Sequence, residues 1–417
     1  MKRNMLKVAM MTTCMMYAAT GHSQTKILFD ATKAESAGNA DWVIDADVRN
    51  IDWYPNAIIG TGSFYTASNA QQIPTPAQSG ITASTAETYW SGGLSAWAVD
   101  CAKKGYTVES LPYNGQITYG NTSNPQDLSN YKVYVVDEPN IKFTTAEKTA
   151  IMQFVQNGGG LFMISDHNVS DRNSDGWDSP HIWNDFLSTN SVQPYPFGIY
   201  FDTVDFSQTT TNISAAAGDS IIYGPMGTVT KVQWSGGTTM TLNPAQNSTV
   251  KGVIYKTGTT PGNTNAMVAY ARYGSGKVAA MGDSSPADDG TGNPACTIYN
   301  GYFGDASGNH QLLIMNMTIW LATTGSTSHV GVSEVSGSNN TINVFPNPST
   351  GVINISTGEL LSNTSINIYN FAGQLVASQK VGDFSIGKDQ SFSLPTGTYI
   401  VKVQSNEGLQ TSRFTVY

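Results

Sequence analysis

The stretch Ser165–His181 holds the densest group of chemically capable side chains in the sequence: Asp166, His167, Asp171, Asn173, Asp175, Asp178 and His181. Asp166, His167 and His181 combine carboxylate with imidazole. That pairing suits general acid–base catalysis or ligation of zinc. Asp171-x-Asn173-x-Asp175-Gly176 has the alternating oxygens and the turn glycine of a calcium loop, with Asp178 close by as a further oxygen donor. The position where an EF-hand carries its bidentate Glu is Ile182, so a complete EF-hand is absent. A divalent cation is the expected cofactor, calcium ahead of zinc. An Asp/Asn-rich loop held by its own side-chain-to-backbone turns is the competing reading of the same residues. A second cluster, Gly282–Gly290, offers Asp283 and Ser284 with His310 downstream, a set that suits nucleophilic catalysis. No Gly-x-Ser-x-Gly elbow accompanies it, and a turn in which Asp283 and Ser284 cap a helix or line a rim fits equally. Of the five histidines, His22 and His329 lie near the ends of the core region, whereas His167, His181 and His310 fall in or beside these loops. The catalytic candidates are therefore Asp166, His167, His181, Asp283, Ser284 and His310. The candidate metal ligands are Asp171, Asn173, Asp175 and Asp178.

The elements that must position these residues alternate between strand and helix. Lys26–Thr32, Tyr106–Leu111, Tyr131–Asp137, Leu161–Ser165 and Lys277–Met281 are short apolar runs typical of buried strands. Gly92–Gly105 has helical spacing with Leu94, Trp97, Ala98 and Cys101 on one face. Thr144 followed by Glu147 is a capping box. It opens a helix that stops at Asn157-Gly158-Gly159-Gly160 and runs straight into the next strand, and a last helix is expected over about His310–Ala322. Strand, helix, glycine stop and strand make the βαβ unit of a parallel sheet. Several strands end at an acid, Asp30, Asp137, Asp166 or Asp283, and ligands of open parallel sheets collect beyond those ends. Thr-, Val- and Gly-rich pieces over about 193–265 predict a β-rich insertion or lid.

Over about 27–325 the sequence resembles the class I glutamine amidotransferase-like superfamily. The resemblance rests on the Phe143–Asp166 segment with its helix, Asn-Gly-Gly-Gly and strand, and on Gly274–Ser284 with its Gly-Ser-Gly-Lys-Val strand and Gly-Asp-Ser ending. It implies an α/β, flavodoxin-like parallel sheet with helices on both faces. The amidotransferases of that superfamily carry a nucleophilic Cys in a tight elbow. Here the corresponding turn is Ser165-Asp166-His167, which implies the superfamily's non-amidotransferase members, some of them sugar-binding.

The 417 residues include 40% hydrophobic and only 12% charged residues, enough to bury a core beneath a neutral, amide- and hydroxyl-rich surface. Net charge is −9, which argues against nucleic acid or anionic lipid as partners. Lys2, Arg3 and Lys7 precede the apolar run Val8–Ala19, too short to span a bilayer, so 1–24 reads as a signal peptide. No later stretch is apolar for long enough to cross a membrane. Cys14 leaves with that peptide, and Cys101 and Cys296 either pair or remain thiols, Cys101 as a buried one. A Ser/Thr/Gly/Asn-rich linker at 326–341 leads to an all-β segment, 342–417, with six short strands sufficient for a small sandwich. Val344-Phe345-Pro346-Asn347-Pro348-Ser349-Thr350-Gly351, Ile366–Val376, Leu394–Val403 and Phe414–Tyr417 resemble, in order, the type A sorting domain of type IX secretion. That resemblance implies a partner in the type IX machinery and a secreted or cell-surface destination by way of the periplasm. The expected function is hydrolysis of an extracellular polymer, glycan favoured, with Trp42, Trp90, Trp177 and Trp183 available to stack on sugars or to pack the core. The competing function is a non-catalytic binding or adhesion protein with a structural calcium loop.

Overall fold

A computed structural model describes residues 25–37, 40–45, 76–112, 114–291, 299–323, 342–370, 374–406 and 408–417. Residues 1–24, expected as a signal peptide, residues 326–341, expected as a linker, and Cys296 fall outside the described residues. The chain divides into two compact units, one on each side of the 324–341 segment.

The larger unit is built on one mixed sheet of nine strands: β1 Lys26–Asp30, β2 Thr107–Leu111, β3 Val133–Asp137, β4 Gly160–Ile164, β5 Ile199–Phe201, β6 Met240–Leu242, β7 Lys251–Tyr255, β8 Ala266–Tyr273 and β9 Gly276–Met281. Five strands are parallel and lie in the order β2-β1-β3-β4-β9. Beyond β9 the sheet turns antiparallel through β8, which pairs with both β6 and β7, and ends at β5. The helices are α1 Ser95–Lys103, α2 Thr145–Gln156, α3 Ser179–Ser188 and α4 His310–Ala322.

Successive residues of the parallel strands feed two different cores. Phe29, Val135, Phe162 and Met281 pack in one apolar cluster with Trp97 of α1 and Leu313 of α4. Leu28, Val136, Met163 and Ala280 pack in the other with Ile151 of α2 and Trp183 of α3. Burial on both faces is why these strands read as unbroken apolar runs rather than alternating ones. The capping box is present, with Thr144 Oγ1 accepting from Glu147 N at 3.3 Å and Glu147 Oε2 accepting from Thr144 N at 2.7 Å.

The region expected as an insertion or lid extends the main sheet instead. Ile199, Phe201, Met240 and Leu242 join the α3-side core, and antiparallel pairing on β8 lets these short strands bury them. The sheet is accordingly half parallel and half antiparallel, not wholly parallel. A separate ribbon, Phe206–Thr210 with Val232–Gly237, lies off the sheet.

The smaller unit is all-β. One sheet orders Ile342–Phe345, Val352–Thr357 and Gln390–Ser393, and the other Leu375–Phe384, Leu361–Asn370, Gly397–Ser405 and Gly408–Val416. A single apolar cluster including Ile353, Ile368, Val401 and Phe414 joins the two sheets into a sandwich.

Candidate active site

The chain leaves β1 for β2 at one edge, then crosses back to β3 on the other side of β1. Connections that depart in opposite directions open a crevice at the carboxyl ends of the strands. Acids gather close by, beyond β3, β4 and β9. Glu138 follows β3 with φ +47°, a left-handed conformation uncommon for a side chain of this kind. It is fully buried, yet its carboxylate is well supplied with donors. Arg172 Nε donates to Oε1 at 3.0 Å, while Trp42 Nε1 at 3.1 Å and Ser284 Oγ at 2.8 Å donate to Oε2. Arg172 also donates from Nη2 to Asp166 Oδ2 at 2.9 Å, so one guanidinium bridges the ends of β3 and β4.

Asp283, just beyond β9, accepts from Ser235 N at 2.5 Å and Ser285 N at 2.9 Å. Those bonds oppose its desolvation without cancelling it: burial above all, with Glu138 nearby, pushes its carboxyl up to about 7. Burial raises Asp288 to about 8, with Asp289 and Glu138 adding to the shift. Asp166 is pushed well up by burial first, then by Glu138 and Asp283, with Arg172 opposing. Asp137 is also buried, neither of its carboxylate oxygens has a hydrogen-bond partner among the described residues, and it too is driven well up by burial. Removing so many carboxylates from water beside a single guanidinium favours their protonated forms.

His167 stands at the mouth of this cluster. Its Nδ1 lies 2.5 Å from the Asn168 carbonyl oxygen, which can only accept, so a neutral ring carries its proton there. Nε2 is then the basic nitrogen, 3.6 Å from Asp166 Oδ2. Asp205, exposed, approaches Nδ1 at 3.9 Å. Gly236, at φ +80°, brings its backbone against the imidazole, and a Cβ there would lie 3.3 Å from His167 Cδ2.

The other sequence candidates go elsewhere. His181 is in the first turn of α3, where Nδ1 bonds Asp178 Oδ1 at 2.5 Å. Asp178 is the helix N-cap and also receives Val169 N at 2.7 Å. Asp171 accepts from Asp175 N and Gly176 N, Asn173 from Asp175 N, and Asp175 from Trp177 N. The oxygens proposed for calcium thus face the loop's own N–H groups, and among the described residues no group of three or more His, Cys, Asp or Glu side chains is disposed to hold a metal ion. His310 begins α4 and is buried, with Nδ1 donating to Gly301 O at 2.8 Å and Nε2 accepting from Gln233 N at 2.9 Å. Burial lowers its pKa, and neither ring nitrogen is left for Ser284. Ser284 instead gives its proton to the Glu138 hydrogen bond.

Trp42, Trp90 and Trp183 are core residues rather than sugar platforms; Trp177 is half-buried, under the Lys142 ammonium. Cys101 is a buried free thiol beside Met315. Glu138, Arg172 and Asp205 carry site geometry that the sequence reading did not assign. The Asp137-Glu138 doublet at a strand end was the available signal for the first, and nothing local marks the other two.

Residues 343–417 match the family described as Secretion system C-terminal sorting domain. No curated protein matches the chain. Among solved structures, the chain is similar to the mmIFT52 N-terminal domain at 14% identity and a TM-score of 0.37, covering 54% of this chain and 88% of that one. It is similar to a cytoplasmic protein from Salmonella typhimurium at 15% identity and a TM-score of 0.35, covering 55% and 87%. A putative ThuA-like protein from Parabacteroides merdae shows 14% identity and a TM-score of 0.29, covering 54% and 82%.

Proposed function

From the premise that its sorting domain makes this a secreted or cell-surface protein that engages the type IX machinery, we propose that the α/β unit is a hydrolase of an extracellular glycan, with His167 as its acid–base group. The observation that carries the reading is the arrangement of a partly exposed imidazole over a buried, proton-retaining carboxyl cluster at the carboxyl edge of β3, β4 and β9. Strongly perturbed acids at such an edge are a mark of functional sites. The strand order β2-β1-β3-β4-β9 is that of flavodoxin-like sheets and supports assigning the parallel half to that class.

In this reading Nε2 of His167 takes a proton from water as the water oxygen bonds to the scissile centre. The bond to the departing oxygen breaks on the opposite face of the sugar ring, where solvent protonates it, and the imidazolium releases its proton to solvent. Asp166 and Arg172 act as positioning residues: the hydrogen bond from Arg172 Nη2 to Asp166 Oδ2 fixes the turn after β4 and thereby the ring. The turn contains no Cys, so glutamine hydrolysis is not part of the proposal. A non-catalytic binding protein is the second reading, favoured by how completely Glu138 and the 171–178 loop are satisfied internally.

The two separate in one assay. The full chain should release reducing ends from at least one member of a panel of soluble glycans, and His167→Ala should lower kcat/KM by roughly 100-fold or more with an unchanged melting temperature. Glycan binding without turnover across the panel leaves the binding reading, and turnover indifferent to His167→Ala removes His167 as the acid–base group.

A further inference from the structure

A groove on the antiparallel side of the sheet presents two tyrosine rings at the surface. It is a cavity of about 290 Å³ lined by Tyr195, Gly198, Tyr200, Thr241, Asn243 and Gln246, with no charged side chain among its lining residues. The Tyr195 and Tyr200 rings are 5.7 Å apart and tilted by 53°. Tyr200 is 40% exposed because β5 turns its neighbours Ile199 and Phe201 into the core.

The aromatic ledge is rigidly built. Tyr195 lies between Pro194 and Pro196 at φ +51°, a strained conformation for an aromatic residue. Its N–H donates to Leu187 O at 2.7 Å, and its carbonyl accepts from Gly198 N at 2.9 Å. Gly198, at φ +69°, packs against the Asn243 backbone, where a Cβ would meet the carbonyl at 2.8 Å. Thr241 donates to Asp202 Oδ1 at 2.8 Å, whereas the amide nitrogen of Asn243 and Oε1 of Gln246 take no bond among the described residues. Tyrosine faces supply an apolar surface with a polar tip. The accessible lining is almost wholly apolar, so the ring faces rather than polar groups make the contact, and nothing in it selects for charge.

We propose that this groove binds a neutral oligosaccharide and extends the proposed site. The inference deepens the glycan reading and rests on it for the substrate class. The same segment leads from Tyr200 to Asp205, which faces His167. Those five residues of chain cannot span more than about 18 Å, which is the length of a few sugar units.

Affinity electrophoresis of the full chain through gels containing dextran, laminarin or hydroxyethyl cellulose tests the binding, with alginate as the charged control. At least one neutral polymer should retard the protein more strongly than alginate does. Tyr200→Ala and Tyr195→Ala should weaken that retardation roughly tenfold, while Tyr200→Phe, which keeps the ring, should hold it within about threefold. A failed hydrolase assignment shows in the turnover assay as no effect of His167→Ala, whereas a failed groove shows here as retardation indifferent to the tyrosines, so the two give different patterns. No retardation by any neutral polymer, equal or stronger binding to alginate, or retardation indifferent to both tyrosine-to-alanine changes overturns the proposal.

Discussion

At the scale of single residues, the site depends on how buried acids keep or lose their protons. Glu138 accepts three donors from three separate parts of the chain, Trp42, Arg172 and Ser284, and so ties together segments that share no secondary structure. Asp283 and Asp288 show the opposing trend, with carboxyls raised from 3.8 to about 7 and about 8. The native state therefore holds protons at these two acids that the unfolded chain releases once pH passes about 4, so their contribution to stability falls as pH rises from there toward 8, opposed below about 6.5 by the lowered pKa of His310. Thermal unfolding of the full chain should show a melting temperature highest on the acidic side of that window and declining to pH 8. Asp283→Asn cannot ionise and should flatten that decline. Near pH 5 it should cost roughly 1–3 kcal/mol, because an amide offers the Ser235 and Ser285 N–H groups only one acceptor oxygen. A parent whose stability rises between pH 5 and 8, or a variant with the parent's slope, contradicts this account of the cluster.

At the scale of elements, most of the parallel half was legible strand by strand, whereas most of the antiparallel half was legible only as β-rich sequence over about 193–265 and not as part of the same sheet. The capping box at Thr144 and Glu147, the Gly158–Gly160 stop and the helix from His310 are local signals, and all three appear where the sequence places them. The helix α3 carried a signal that went unread, Asp178 as N-cap with Pro180 in the first turn. Strands β5 and β6 span only three residues each, too few for a period of two to show. The Glu138–Arg172 ion pair joins residues 34 apart in sequence, and no pattern of spacing reports it. Some glycines were legible only as breaks, although packing fixes them. A Cβ on Gly276 would collide with the carbonyl oxygens of Val155 and Gly159, where the end of α2 meets the start of β9. Backbone cannot yield as a flexible side chain can. Gly276→Ala should therefore destabilise the unit by roughly 1–3 kcal/mol, read as a lower denaturant midpoint at unchanged slope. Gly262→Ala, which meets nothing within 4 Å, serves as the control.

At the scale of the whole molecule, each unit closes a hydrophobic core from its own strands. Among the described residues, the sandwich cluster around Ile353, Ile368, Val401 and Phe414 draws only on those from Ile342 onward. Among the described residues, the two clusters on either face of the larger sheet draw only on those up to Ala322. Folding free energy that comes mainly from burying apolar surface is then assigned separately to the two units. The sorting function resides in the matched residues 343–417, whereas the carboxylate cluster, His167 and the tyrosine groove all lie before Thr323. A chain ending at residue 341 should consequently keep the melting transition of the larger unit, and any glycan turnover, within error of the full chain. In cells with a working type IX system the truncated chain should accumulate in the periplasm, while the full chain reaches the surface or the medium. Loss of the larger unit's transition on truncation would mean that the cores are not independent. Surface delivery without residues 342–417 would place the export signal elsewhere in the chain.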